Sequence, residues 1–100
     1  FNPDFGCYGT VLFLDLDVIV FGNIDKLFTY KPGEFCVIRD FNRSVQSQWE
    51  RMNSSCFRLE TGQHANVYHE FMKDPKQNAR KYHGDQDWLY ANVKSQFNFC

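Results

Sequence analysis

The 100-residue chain is long enough for one small domain, and a domain of this size buries roughly two-thirds of its unfolded surface. Its 11 basic and 12 acidic residues give a formal net charge of −1, which offers no electrostatic basis for binding nucleic acid or an anionic membrane. No apolar stretch approaches the ~20 residues of a membrane-spanning helix, and we expect a cytoplasmic protein without a membrane span.

The first predicted elements are two strand-like runs and a short helix. TVLFL (10–14) is continuously apolar, which is typical of a strand covered on both faces and therefore central in its sheet. VIVFG (18–22) is a second short apolar run. NIDKLF (23–28) indicates one helical turn, with Asn23 able to cap it.

The second part of the chain continues the alternation of strands and helices. EFCVIRD (34–40) and SCFRLE (55–60) predict two more strands, and a helix opens at Thr61. Further helical segments are predicted at 76–82 and at GDQDWLYANV (84–93), with Asp85 as the N-cap of the last one. This order predicts a mixed α/β fold with a small mixed sheet and flanking helices, in a single domain over residues 1–100.

The four cysteines are widely spaced and form no CxxC pair, so the sequence does not favour a zinc site. Two of them lie in apolar, strand-like surroundings, where reduced thiols are more common than a disulfide framework. We therefore predict four free thiols, at Cys7, Cys36, Cys56 and Cys100.

Two carboxylates stand at the end of the first apolar run, in LFLDLDVIVF (12–21). In an extended chain Asp15 and Asp17 share one face, about 6.6 Å apart along the strand. Two like charges at that spacing repel, and a hard divalent cation such as Mg²⁺ or Mn²⁺ would remove the conflict. The alternative interpretation is a pair of solvated residues in a tight turn, where Asp is common.

The segment VLFLDLDVIVFGNIDKLF (11–28) resembles the DxD region of GT-A glycosyltransferases, especially glycogenin-like enzymes of glycosyltransferase family 8. MNSSCFRLETG (52–62) is similar to the family's strand with Asn-Ser-Gly, and HGDQDWLYA (83–91) to its Gly-Asp-Gln helix start. The three segments occur in the family's order between residues 11 and 91. The resemblance implies a partial GT-A fold.

The resemblance also implies metal-dependent transfer of a sugar from a nucleotide-diphosphate sugar to an unknown acceptor. Asp15 and Asp17 would hold Mn²⁺ or Mg²⁺, and Asp15 would also contact the donor. Asn53 and Ser54 would line the sugar pocket, and the catalytic positions would be Asp85 and Gln86, beside the reacting sugar and the acceptor.

Three features depart from the family pattern. Ser55 stands where the family has Gly, which narrows the space for a ligand near the backbone. The family's late His-containing metal motif is not visible, and His83 cannot be equated with it. The strands that bind the nucleotide base are also not seen before residue 10. We therefore expect the second half of a catalytic domain, and a homodimer formed through exposed sheet edge or apolar surface.

Two other functional interpretations remain open. The chain could be a catalytically silent folded fragment or an assembly unit, because half a domain need not contain a complete donor site. It could also be a phosphatase of the haloacid-dehalogenase type, in which Asp15 is the nucleophile and Asp17 the general acid. That family usually continues with Gly-Thr, whereas Val18 and Ile19 follow here.

Overall fold

A computed structural model describes residues 1–40, 52–93 and 98–99 of the chain. The predicted mixed α/β architecture is confirmed: the described residues form a small four-stranded sheet with flanking helices. In chain order the elements are β1 (Thr10–Leu14), α1 (Asp25–Thr29), β2 (Cys36–Arg39), β3 (Met52–Glu60), α2 (Ala65–Lys73), α3 (Pro75–Lys81), α4 (Asp85–Val93) and β4 (Asn98–Phe99).

The sheet has the strand order β1-β3-β2-β4. β3 is antiparallel to both of its neighbours, and β4 is parallel to β2. The prediction of a central position for TVLFL is therefore wrong for the described sheet, in which β3 is the long inner strand and β1 is an edge. Because no described strand pairs with the outer side of β1, none of its residues is fully buried, and Phe13 is 40% exposed.

The apolar run after β1 is not a strand. The N–H of Val18 donates to the carbonyl oxygen of Asp15 at 3.0 Å, which closes a turn and takes the chain away from the sheet. Beyond the turn Ile19 is 80% exposed and Phe21 is 96% exposed. The interpretation of 18–22 as strand-like was wrong because apolar content alone does not supply a pairing partner.

The four helices lie close to their predicted positions. The prediction of Asn23 as the cap of α1 is wrong: the N-cap is Ile24, and Oδ1 of Asn23 accepts the N–H of Asp25 at 2.7 Å from one residue before it. Asp85 had been predicted as the N-cap of α4. This is wrong, because Asp85 is the first residue of the helix. In the part of the chain that the structure describes, no helix combines the length and apolarity needed to cross a bilayer.

One face of the sheet packs against α2 and α4 and contains the apolar core. Phe57 lies at its centre, with ring centroids 4.7 Å from Phe13 and 5.7 Å from Phe35. The helices add Val67 and Leu89 to this face. The buried members of the core are Phe35, Val37, Met52, Phe57, Leu59, Val67, Leu89 and Val93.

The opposite face of the sheet carries a buried cation, Arg58, which is 1% exposed. Its Nη1 donates to the carbonyl oxygens of Leu27 and Phe28, at 2.8 and 3.0 Å. Its Nη2 donates to the carbonyl oxygens of Lys31 and Glu34, at 2.6 and 3.0 Å. Carbonyls at the end of a helix lack intrahelical partners and carry partial negative charge, so Arg58 satisfies the end of α1 and holds it on the sheet.

Three of the four cysteines lie in the described residues, and the prediction of free thiols is confirmed for them. Cys7 is exposed, Cys56 is half-buried and Cys36 is buried. The Sγ of Cys36 accepts a hydrogen bond from Nη2 of Arg58 at 3.1 Å. Cys100 lies outside the described residues.

Candidate functional site

A bulge in the inner strand organises the candidate site. Val37 of β2 pairs with Phe57 of β3, but the next residue, Ile38, pairs with Asn53. The segment 54–56 of β3 therefore has no opposite residue on β2. A bulge of this kind leaves backbone groups without partners on the neighbouring strand and bends the chain. Bulges are frequent next to functional sites.

Two side-chain amides satisfy backbone groups of the bulge. The N–H of Ser54, a residue that is 6% exposed, donates to Oε1 of Gln86 at 3.1 Å. The N–H of Ser55 donates to Oδ1 of Asn53 at 2.9 Å. In both side chains the amide nitrogen has no partner among the described residues. Asn53 and Gln86 thus keep NH₂ donors for a ligand while their oxygens hold the strand.

The end of β1 joins the same bulge. The N–H of Asp15 donates to the carbonyl oxygen of Ser55 at 2.9 Å. The bulge therefore contacts two regions that are far apart in sequence: the start of the DxD segment through Ser55, and the first turn of α4 through Ser54. The structure brings together Asp15, Asn53, Ser54 and Gln86, which are four of the six residues predicted for the site.

The two carboxylates of the DxD segment do not lie on one extended strand. β1 ends at Leu14, and Asp15 and Asp17 belong to the turn that follows. Asp15 is half-buried and Asp17 is exposed. The premise that both side chains share one face of a strand was wrong, because the turn replaces the extended backbone on which it depended.

Neither carboxylate has a hydrogen-bond or ion-pair partner among the described residues. Within those residues no group of three or more His, Cys, Asp and Glu side chains could hold a metal ion. Asp15 and Asp17 could thus supply at most part of a cation's ligand shell. Mg²⁺ is commonly bound in that way, through one or two carboxylates together with water and the oxygens of a substrate's phosphates.

Asp85 directly precedes Gln86, which binds the bulge, but the side chain of Asp85 has a different environment. Its side chain is exposed, and its Oδ1 accepts the N–H of Gln86 at 2.8 Å. Asp85 lines two neighbouring cavities of about 340 and 500 Å³. Both cavities are also lined by Val67 and Trp88. The first turn of α4 therefore presents Gln86 to the sheet and Asp85 to the cavities.

The bulge also contains a thiol, Cys56. Burial raises the pKa of the Cys56 thiol above its ordinary value. The thiolate is the nucleophilic form of cysteine, and a raised pKa keeps the group protonated at neutral pH. Cys56 therefore lacks the lowered pKa that is typical of reactive cysteines.

Sequence reasoning found the residue types at this site but not the feature that joins them. A three-residue bulge between Asn53 and Phe57 carries no Gly or Pro that would mark it in the sequence. The alternating pattern of SCFRLE indicated an ordinary strand. Only the loss of register between β2 and β3 shows why the N–H of Ser54 needs a side-chain acceptor.

Comparison of the chain with protein-family models finds no match, and neither curated proteins nor solved structures yield a significant match. The resemblance to GT-A glycosyltransferases therefore depends on the three sequence segments alone.

Proposed function

We propose that the chain carries the sugar-transfer part of a metal-dependent GT-A glycosyltransferase, which uses a nucleotide-diphosphate sugar and an acceptor of unknown identity. One observation supports this most strongly. Three motif segments that are distant in sequence are linked by two hydrogen bonds, from Asp15 N–H to the Ser55 carbonyl and from Ser54 N–H to Oε1 of Gln86. The first bond continues the β1–β3 ladder by one residue and the second joins α4 to β3, so the sheet itself brings the three segments to one place.

The proposed roles follow from the chemistry of each side chain. Asp15 and Asp17 would hold Mn²⁺ or Mg²⁺ together with the diphosphate oxygens. When bound, the cation supplies a Lewis acid that neutralises the charge developing on the diphosphate leaving group. The NH₂ groups of Asn53 and Gln86 would donate to sugar hydroxyls and fix the orientation of the sugar. The exposed carboxylate of Asp85 would accept a hydrogen bond from a hydroxyl of the sugar or the acceptor.

The test of the cation site is isothermal calorimetry with Mn²⁺, in the presence of UDP or GDP as probe. We expect Mn²⁺ binding that weakens at least about tenfold in Asp15→Asn and in Asp17→Asn, because each loses a charged oxygen ligand. Asp4→Asn removes an exposed carboxylate outside the site and is the matched control. Equal affinity in wild type and both site variants would contradict the proposal.

Activity is a separate question from cation binding, because the chain could also be a silent assembly unit. Incubation with Mn²⁺ and a panel of nucleotide sugars, followed by NMR, reports transfer to added sugars and hydrolysis of the donor. Turnover that is lost in Asp85→Asn would support the enzyme. Binding of Mn²⁺ and nucleotide without turnover would favour the silent unit.

We also propose that the chain forms a homodimer through the side of β1 that no described strand covers. An unpaired strand edge is a template for association, and the adjoining loop exposes Ile19 and Phe21. Sedimentation at micromolar concentration should give a dimer. The double variant Ile19→Ser/Phe21→Ser should shift it toward monomer, while a strictly monomeric, well-folded wild type would contradict the proposal.

A further inference from the structure

His64 occupies an unusual position for a titratable side chain. It precedes α2 at the N-cap position, and it is only 5% exposed. Its ring meets Phe35 edge-on, with centroids 5.2 Å apart and planes at 74°. Phe35 belongs to the buried core beside β2, so the imidazole fills the space between that strand and the start of α2.

The imidazole makes no hydrogen bond. Neither Nδ1 nor Nε2 has a partner among the described residues, although both atoms are buried. Most buried polar groups in native proteins are paired, so an unpaired one calls for a physical explanation. A neutral imidazole tolerates this environment better than an imidazolium does, and burial accordingly lowers the pKa of His64.

Among the described residues, the charged side chains on the elements around His64 have other hydrogen-bond partners. Beside β2, the carboxylate of Glu34 accepts a hydrogen bond from Asn98. At the end of β3, the carboxylate of Glu60 accepts one from Thr10. In the turn before β2, Lys31 donates to Asn98. On α2 itself His69 is exposed, and Glu70 pairs with Lys73.

The start of α2 is also where the helix connects to the rest of the fold. The carbonyl of His64 accepts the N–H of Val67 at 3.1 Å. The carbonyl of Val67 accepts the indole N–H of Trp88 on α4 at 3.0 Å. On the other side, the side chain of Gln63 donates to the carbonyl of Gly33 at 2.9 Å. Displacing His64 would therefore disturb the contact between α2 and α4.

We propose that His64 is an acid-sensitive latch, which holds the start of α2 against Phe35 while the imidazole is neutral and releases it on protonation. The imidazolium needs water or a counter-charge, and it gains water only when the first turn of α2 moves away from β2. That turn carries Val67, which together with Trp88 lines both cavities at Asp85. Acid release would thus widen access to these cavities. The inference does not depend on the proposed glycosyltransferase function.

The sign of the effect follows from linkage. His64 in the released state has its ordinary pKa of about 6.5, and the closed state binds a proton less well. The equilibrium constant for opening is therefore independent of pH above that value. Below it the constant rises by about tenfold per pH unit, until the pKa of the closed state is reached.

Hydrogen exchange followed by NMR measures this constant directly, after correction for intrinsic exchange rates. The probes are the amide of Val67 and the indole N–H of Trp88, between pH 7 and pH 5. In wild type we expect opening to increase about fivefold from pH 6.5 to pH 5.5, because half of the released imidazole is already protonated at pH 6.5. His64→Phe and His64→Gln should both remove this dependence. His69→Gln, which changes an exposed histidine of the same helix, should retain it.

Three results would overturn the proposal: constant opening across the pH range in wild type, an unchanged pH dependence in the His64 variants, or an equal increase at amides in the middle of β3. The last would show global unfolding in place of a local latch. Should both His64 variants fail to fold, the imidazole of His64 in wild type is titrated by NMR. Protonation without any change at Val67 and Trp88 would then contradict the latch.

Discussion

The two faces of β3 are both well buried, but they are stabilised by different interactions. On the helix side, Phe57 and Leu59 pack against other apolar side chains. On the opposite side, Arg58 is also buried from solvent. Its guanidinium donates hydrogen bonds to carbonyl oxygens at the end of α1 and in the turn before β2. One face depends on the apolar area removed from water, and the other depends on donor geometry.

This difference predicts how each face responds to substitution. Apolar packing is spread over many residues, so the loss of one side chain leaves the others in place and costs its own transfer and cavity energy. The polar face depends on a single guanidinium, whose planar N–H groups match several acceptors at once. Removing it leaves carbonyl oxygens without donors in a place that water does not reach easily. The following predictions test the contrast.

Phe57→Ala should have the largest effect, because its ring contacts Phe1, Phe13 and Phe35. Truncation of a buried Phe to Ala usually lowers the free energy of unfolding by about 3–5 kcal/mol. Urea unfolding followed by circular dichroism measures this. Tyr8→Ala, at an aromatic side chain that is 86% exposed, is the matched control and should change stability by less than about 0.5 kcal/mol. Equal losses in the two variants would show that Phe57 is not part of a packed core.

Arg58→Met should cost somewhat less, about 2–4 kcal/mol, because the apolar stem is kept while the hydrogen bonds to the end of α1 and the following turn are lost. Arg58→Lys keeps the charge but not the planar fork, so most of the loss should remain. Arg80→Met, in which an exposed arginine is replaced, is the control. If the lysine variant were as stable as wild type, charge and not donor geometry would explain the polar face.

Gln86→Leu should lower the free energy of unfolding by about 1–2 kcal/mol, because the N–H of Ser54 loses its acceptor. Gln86→Glu keeps an oxygen at that position and should stay close to wild type in stability. The glutamate variant nevertheless lacks the NH₂ donor, so it should weaken binding of a nucleotide sugar measured by calorimetry. A glutamate variant that is as unstable as the leucine variant would contradict this division between structure and binding.

The thiols provide the mildest probe, since labelling does not require a mutation. At pH 7.5 an alkylating reagent should modify exposed Cys7 first and half-buried Cys56 more slowly, because burial also raises the pKa of the Cys56 thiol. Cys36, buried beside Arg58, should react only when the polar face opens. Mass spectrometry of partly labelled protein gives the order. Labelling of Cys36 as fast as Cys7 would show that this face is open to solvent. A count below four free thiols after denaturation without reductant would contradict the prediction that all four cysteines are reduced.

The core face was largely predictable from the sequence, whereas the polar face was not. Alternation in SCFRLE identified a strand and placed Phe57 and Leu59 together on one side. The same alternation places Arg58 on the other side, but it does not show that this side is buried. The acceptors of Arg58 come from the end of α1 and from the turn before β2, which are distant in sequence. Their convergence is a tertiary property that no local pattern contains.

The structure of the DxD region was also only partly predictable from the sequence. The composition of LFLDLDVIVF suggested two strands with carboxylates between them, although Asp is itself common in turns and the alternative of a tight turn had been left open. Strand formation requires a partner, and the pairing of β1 with β3 ends at Leu14. Side-chain orientation beyond that residue could therefore not be obtained from periodicity. The structure places Gln86 against Ser54, the residue that follows Asn53, although this hydrogen bond to the bulge was not foreseen.

The bulge in β3 also bears on how such a domain can change through evolution. Residues 56–60 keep the ladder with β1, and Phe57 and Leu59 contribute to the core, while 54–56 lie outside the pairing with β2. Substitutions at Ser54 and Ser55 therefore leave the ladder with β2 unchanged, provided that an acceptor for the Ser54 N–H persists. Under the function proposed above, we expect diversification of specificity to concentrate at these two positions and in the side chains that face them.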